Sequence, residues 1–173
     1  TPTGYLVAGT NITVREGVTL QGELAQNTPD PYVPSRRTHG TTLLLTGGAG
    51  STSGAVFNLR SNCKIIGLNF YHPNQTDTNP PIQYPPVLKL VGSVSNQVTI
   101  KNVCFINAYI AIDASGAHQD LYIENMYGQP LFRGIIIDNN SSVDRLVNVN
   151  IGAYWNRGDF ATKAADSTKA AYF

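Results

Sequence analysis

Charge is scarce in this sequence. Lys, Arg, Asp and Glu make up 13% of its 173 residues, against about 25% in an average soluble domain, and they nearly cancel at a net charge of +1. Phosphate binding depends on clustered Lys and Arg, so the balance argues against a nucleic-acid partner. Long apolar runs are missing too. Nothing approaches the roughly 18 residues that a membrane span needs, and no basic-then-apolar signal segment opens the chain. The reading is of a soluble chain without a membrane partner, long enough for one domain with a real core. Cysteine is limited to Cys63 and Cys104. Two thiols give no disulfide framework, and both are expected to be small buried side chains. No metal or cofactor is expected.

Two further absences bear on fold class. Helical periodicity is almost missing before the last dozen residues. No Asn-Gly or Asp-Gly dipeptide occurs anywhere, which removes the strongest hairpin signal and argues against an antiparallel sandwich.

What is present is a repeated pattern. The segments "VTLQGE" (18–23), "CKIIGLNFYH" (63–72), "QVTIKNVCFIN" (97–107), "QDLYIENMYGQ" (119–129) and "DRLVNVNIGAY" (144–154) each run apolar alternation into a Gly or Asn. Aligned on the apolar residue two places earlier, their anchors are Leu20, Ile65, Ile100, Ile123 and Leu146, at steps of 45, 35, 23 and 23 residues. The residue two places on is Gly22, Gly67, Asn102, Asn125 and Asn148. A fixed phase at a period of 23 predicts a solenoid. The two long steps contain 24–40 and 72–86, rich in Pro, Asn and Asp, which cannot continue a paired strand and read as loop insertions. Short runs such as "TTLLLT", "AVFNLR", "VLKLV", "IAIDA" and "GIIIDN" supply the remaining strands. The expected architecture is therefore all-β, a parallel β-helix of about five rungs over 1–158. Residues 159–173 form a C-terminal tail or capping segment, read as a short helix or a broken continuation.

The repeated Gly or Asn marks a corner where a left-handed backbone is tolerated. Asn102, Asn125 and Asn148, one above another, are expected to form an amide ladder. The same register puts Tyr109, Phe132 and Trp155 at steps of 23, an aromatic stack.

With "PTGYLVAGTNITVREGVTLQGE", "TTLLLTGG" and "CKIIGLNFYHP", and in particular Pro2, Gly4, Tyr5 and Gly17 to Gly22, the chain resembles the pectate-lyase-like right-handed parallel β-helix superfamily. Polygalacturonases, pectin and pectate lyases and many phage tailspikes share that fold. The similarity covers about residues 1–155. It implies a right-handed coil, an extracellular or virion setting, and a polysaccharide as partner. Members normally carry chain before this opening and further rungs after, so the sequence is expected to be a fragment, or one chain of a homo-oligomer or other assembly that covers the open ends. The Asn-Thr-Asp, Gly-His-Gly and Arg-Ile-Lys motifs of polygalacturonases are not found, nor are the calcium carboxylates of pectate lyases. No catalytic residue of the superfamily is carried over.

The chain's own candidates remain. Asp113 in "IAIDAS" and Asp138 in "IIIDNN" end matching strands on neighbouring rungs if two residues are inserted near Arg133 and Gly134. Such a pair suits a retaining glycosidase; the alternative is that each accepts backbone N–H groups at a turn. Arg133 either holds an acidic sugar or pairs with Asp138. Tyr109, Phe132 and Trp155 are a sugar platform if they face outward and core if they face inward. Tyr71, His72 and Tyr84 flank the Pro-rich insertion, as a groove wall or as plain loop. Asp120, Glu124, Asp144 and Arg145 read as surface pairs. Two functions follow: an extracellular or virion-associated β-helix that binds a polysaccharide, with cleavage of the polymer as a glycoside hydrolase or lyase left open, or a non-catalytic structural module.

Overall fold

Apolar alternation becomes strand throughout the described chain. A computed structural model describes residues 4–23, 40–75, 80–92, 97–116, 118–137 and 143–151. Every regular element among these residues is a β-strand. In chain order they are β1 (Tyr5–Val7), β2 (Ile12–Val14), β3 (Thr19–Gln21), β4 (Thr41–Leu45), β5 (Phe57–Leu59) and β6 (Lys64–Tyr71). Then come β7 (Leu88–Leu90), β8 (Val98–Ile106), β9 (Ile110–Ala114), β10 (Asp120–Gln129), β11 (Arg133–Ile137) and β12 (Val143–Ile151).

The strands form two sheets, and every pairing is parallel. The first sheet has seven strands in the order β1-β4-β6-β8-β10-β12, with β3 also on β6; the second has five, β11-β9-β7-β5-β2. From β4 onward the chain alternates between sheets, and from β6 onward each strand lies beside the one two places earlier. Parallel neighbours need a crossover rather than a hairpin, and here each sheet supplies the other's crossover. The arrangement is compatible with a β-helix.

The register follows the repeat. Leu20 pairs Ile65, Ile65 pairs Ile100, Ile100 pairs Ile123, and Ile123 pairs Leu146. The unequal steps of 45 and 35 residues thus end in the same lateral pairing as the steps of 23. Of the insertion 24–40, residues 24–39 lie outside the described part of the chain; the described part of 72–86 contains no strand. The tail 159–173 also lies outside the described residues. Ile65, Ile100 and Ile123 are fully buried, each contributing about 1.5–3 kcal/mol by removal from water. Leu146, last in the row, is 38% exposed.

The long strands bend at the repeated corner. Gly67, Asn102, Asn125 and Asn148 have φ of +68°, +52°, +52° and +52°, the left-handed region that Asn tolerates better than most side chains. The amides line up as the spacing predicts: Asn125 Nδ2 donates to Asn102 Oδ1 at 2.9 Å, and Asn148 Nδ2 to Asn125 Oδ1 at 2.7 Å. Gly22 differs. Its φ is not left-handed, but an added Cβ would lie 2.5 Å from the Gly67 carbonyl oxygen and 2.6 Å from Leu68 Cδ2. Glycine is required there for space rather than for conformation. Beyond the bend, Phe70 stacks on Phe105 with centroids 5.1 Å apart, and Cys63 and Cys104 are both buried.

Candidate functional site

The second sheet carries the candidate residues, and its alternation decides which way they point. Leu88, Leu90, Ile112 and Ala114 belong to the main core, so Lys89 and Asp113, between them, stand on the opposite face. Asn58, Lys89, Asp113 and Ile136 form one row in register across β5, β7, β9 and β11.

Asp113 is only 6% exposed, and each of its oxygens is occupied. Lys89 Nζ lies 2.8 Å from Oδ2. The Ser115 amide and hydroxyl donate to Oδ1 at 3.0 and 2.6 Å. Burial pushes the carboxyl pKa up, but the bonds from Lys89 and Ser115 outweigh it and hold the group below its ordinary range. Asp113 is thus an ionised acceptor at neutral pH, not a proton donor. The Ser115 bonds are the turn contacts of an aspartate at a strand end.

Four residues before Asp113, one place ahead of β9 and roughly 13 Å away at strand rise, stands an aromatic pair. Tyr109 and Phe132, 23 residues apart, stack with centroids 4.9 Å apart and planes 11° from parallel. Arg133 places its guanidinium carbon 5.3 Å from the Phe132 ring centroid, within cation–π range. Tyr109 is buried at 9% exposure, whereas Phe132 and Arg133 are half-buried. Tyr109 joins Tyr84 and Ile110 in a second small core, with Ile82, Phe132 and Ile136 packed against it. The pair is accordingly core on the Tyr109 side and surface on the Phe132 side.

The structure puts Asp113 and Arg133 on the second sheet, with Tyr109 and Phe132 one place before β9 and β11. Asp138 and Trp155 lie outside the described residues. The expected insertion near Arg133 and Gly134 is not there: Arg133 pairs Ile110, Ile135 pairs Ile112, and Ile136 pairs Asp113. The inward Ile112–Ile135 contact fixes that register, and the residue beside Asp113 on β11 is Ile136.

Lys89 and Ser115 were not singled out from the sequence, though each left a sign. Lys89 is the one charge in "VLKLV", and Ser115 follows Asp113 at the spacing of a side-chain turn. Elsewhere, Glu124 pairs with Lys101 and accepts from the Tyr122 hydroxyl at 2.9 Å. His118 Nε2 lies 3.0 Å from Asp144 Oδ1, and its Nδ1 lies 2.7 Å from the Gly116 carbonyl oxygen. Among the described residues, no three His, Cys, Asp or Glu side chains gather as a metal-binding group. No protein-family model, no curated protein and no solved structure matches this chain.

Proposed function

We propose that the chain is a right-handed parallel β-helix of the pectate-lyase-like kind and that it binds a polysaccharide along the outer side of its second sheet. Parallel crossovers within a sheet are right-handed in nearly all proteins, which supports the hand. The observation that carries the binding reading is the half-buried Phe132 ring, backed by Tyr109 and flanked by Arg133. An aromatic ring beside a guanidinium suits a sugar ring that bears a carboxylate. The outward row from Asn58 to Ile136 continues the surface across four strands, about 14 Å at ordinary strand spacing, a span suited to a linear polymer. An extracellular or virion setting goes with such a ligand. A second copy or further chain would cover the open ends, where Leu6 at one edge and Val143 at the other are each 67% exposed.

Cleavage belongs to this reading as a role for Asp113 with Asp138. An ionised Asp113 fits the nucleophile or charge-stabilising carboxylate of a glycosidase, leaving Asp138 as the acid. One observation favours the other reading, a non-catalytic module: the Asp113 carboxylate is already engaged by Lys89 and Ser115. Incubation with a panel of neutral and acidic polysaccharides separates the two. New reducing ends or unsaturated uronate support cleavage; binding without either product supports the module; neither binding nor product removes the polysaccharide reading.

A further inference from the structure

Among the described residues, three buried polar atoms lack a hydrogen-bond partner: Nδ1 and Nε2 of His72 and Oδ1 of Asn107. They share one corner. Tyr71 and Ile106 are register partners, and the His72 amide donates to the Ile106 carbonyl at 3.2 Å, so His72 and Asn107 take the next positions on adjacent strands. The imidazole is 0% exposed.

What covers His72 is the segment Pro80–Pro86. Its Tyr84 ring lies 4.3 Å from the imidazole centroid and is itself buried. Gln75 clasps the segment from its other side, donating to the Ile82 carbonyl and accepting from the Ile82 amide, both at 2.9 Å. Through Tyr84 and Ile82 the segment also packs on Tyr109 and Phe132. The Gly50 amide donates to the Gln83 carbonyl and the Val56 amide to the Pro86 carbonyl, both at 2.8 Å, so hydrogen bonds and apolar contact together hold the strap over an imidazole with no charged partner.

We propose that His72 is an acid-sensitive latch: protonation of its buried imidazole releases the Pro80–Pro86 strap and uncovers the Tyr109–Phe132 corner while the sheets stay paired. An imidazolium has two donors and a charge, and neither Tyr84 nor Asn107 offers a carboxylate to neutralise it. The one titratable side chain shown against the ring is Tyr84, whose phenol burial pushes up and so keeps neutral. No charged side chain among the described residues acts on His72. Burial lowers its pKa to about 4, opposed only by the Leu45 carbonyl of β4. The latch does not depend on what the corner binds.

Linkage sets the expected size. With the imidazole free to titrate near 6.5 in the open form and near about 4 in the closed one, the open fraction rises about tenfold per pH unit between those values. The experiment is amide exchange by NMR from neutral pH to about pH 4, expressed as protection factors, alongside titration of the His72 ring proton. Protection at Ile82 and Tyr84 should fall about tenfold per pH unit while Ile65, Ile100 and Ile123 keep theirs, and His72→Phe should hold the strap closed throughout. Unchanged protection at Ile82 and Tyr84, loss of strap and sheet protection together, a His72 ring that titrates at its ordinary value, or a His72→Phe strap that opens over the same range would each overturn the latch. Should His72→Phe not fold, the wild-type titration and exchange decide alone.

Discussion

Asn125 Nδ2 donates to Oδ1 of Asn102, the residue 23 places earlier, at 2.9 Å. The bond joins sequence period to spatial period directly. Asn125 also has a φ of +52°, so a substitution there removes a ladder bond and strains the corner together. Asn125→Leu is expected to lower stability by about 1–3 kcal/mol in denaturant unfolding. Asn125→Gly keeps the corner and loses only the ladder, so it should fall between wild type and Asn125→Leu. Unchanged midpoints in both variants would show that the ladder contributes nothing.

Gly22 tests close approach. The Cβ of an alanine would sit 2.5 Å from the Gly67 carbonyl oxygen and 2.7 Å from Thr41 Cβ, and backbone on the neighbouring strand cannot easily yield. Gly22→Ala should cost about 1–3 kcal/mol, the usual range for overpacking. Gly17, where an added Cβ meets nothing within 4 Å but φ is +74°, provides the contrast: Gly17→Asn should be tolerated, since Asn adopts that conformation. Thermal unfolding of both variants reads the difference.

Asp113 makes a prediction about acid. Its folded pKa lies below the ordinary 3.8, so its ionised form contributes stability that is fully present above that value and is lost as pH falls through the lower, folded one. Asp113→Asn should cost about 1–3 kcal/mol near neutrality. That is less than for a fully buried pair, because the Lys89 side chain is 33% exposed and can turn to water. The gap between wild type and variant should stay constant from about pH 5 to about pH 8 and close below about pH 4. A gap that does not narrow at all as pH falls below about 4 would assign the loss to packing rather than charge.

The parallel pairing was legible because its signals are periodic and local. Leu20, Ile65, Ile100, Ile123 and Leu146 announced their own pairing, and Asn at one phase announced its left-handed corner. The Tyr109–Phe132 stack followed from the same count. Side-chain partnership across strands was less legible. Lys89 reaches Asp113 over a step of 24 residues, one more than the period, because the second sheet sets its own register. The latch at His72 was invisible for another reason: the sequence shows a Pro-rich insertion, but not that Tyr84 folds back over the imidazole.

Affinity electrophoresis through gels cast with neutral and acidic polysaccharides tests the binding claim most directly. Wild type should be retarded by at least one polymer, and Phe132→Ala, checked for intact fold by circular dichroism, should bind about tenfold more weakly, as loss of one aromatic stacking contact implies. Arg133→Ala should weaken binding to acidic polymers alone. Free migration of wild type through every polymer, or retardation that neither substitution alters, would contradict the account and leave the structural module in its place.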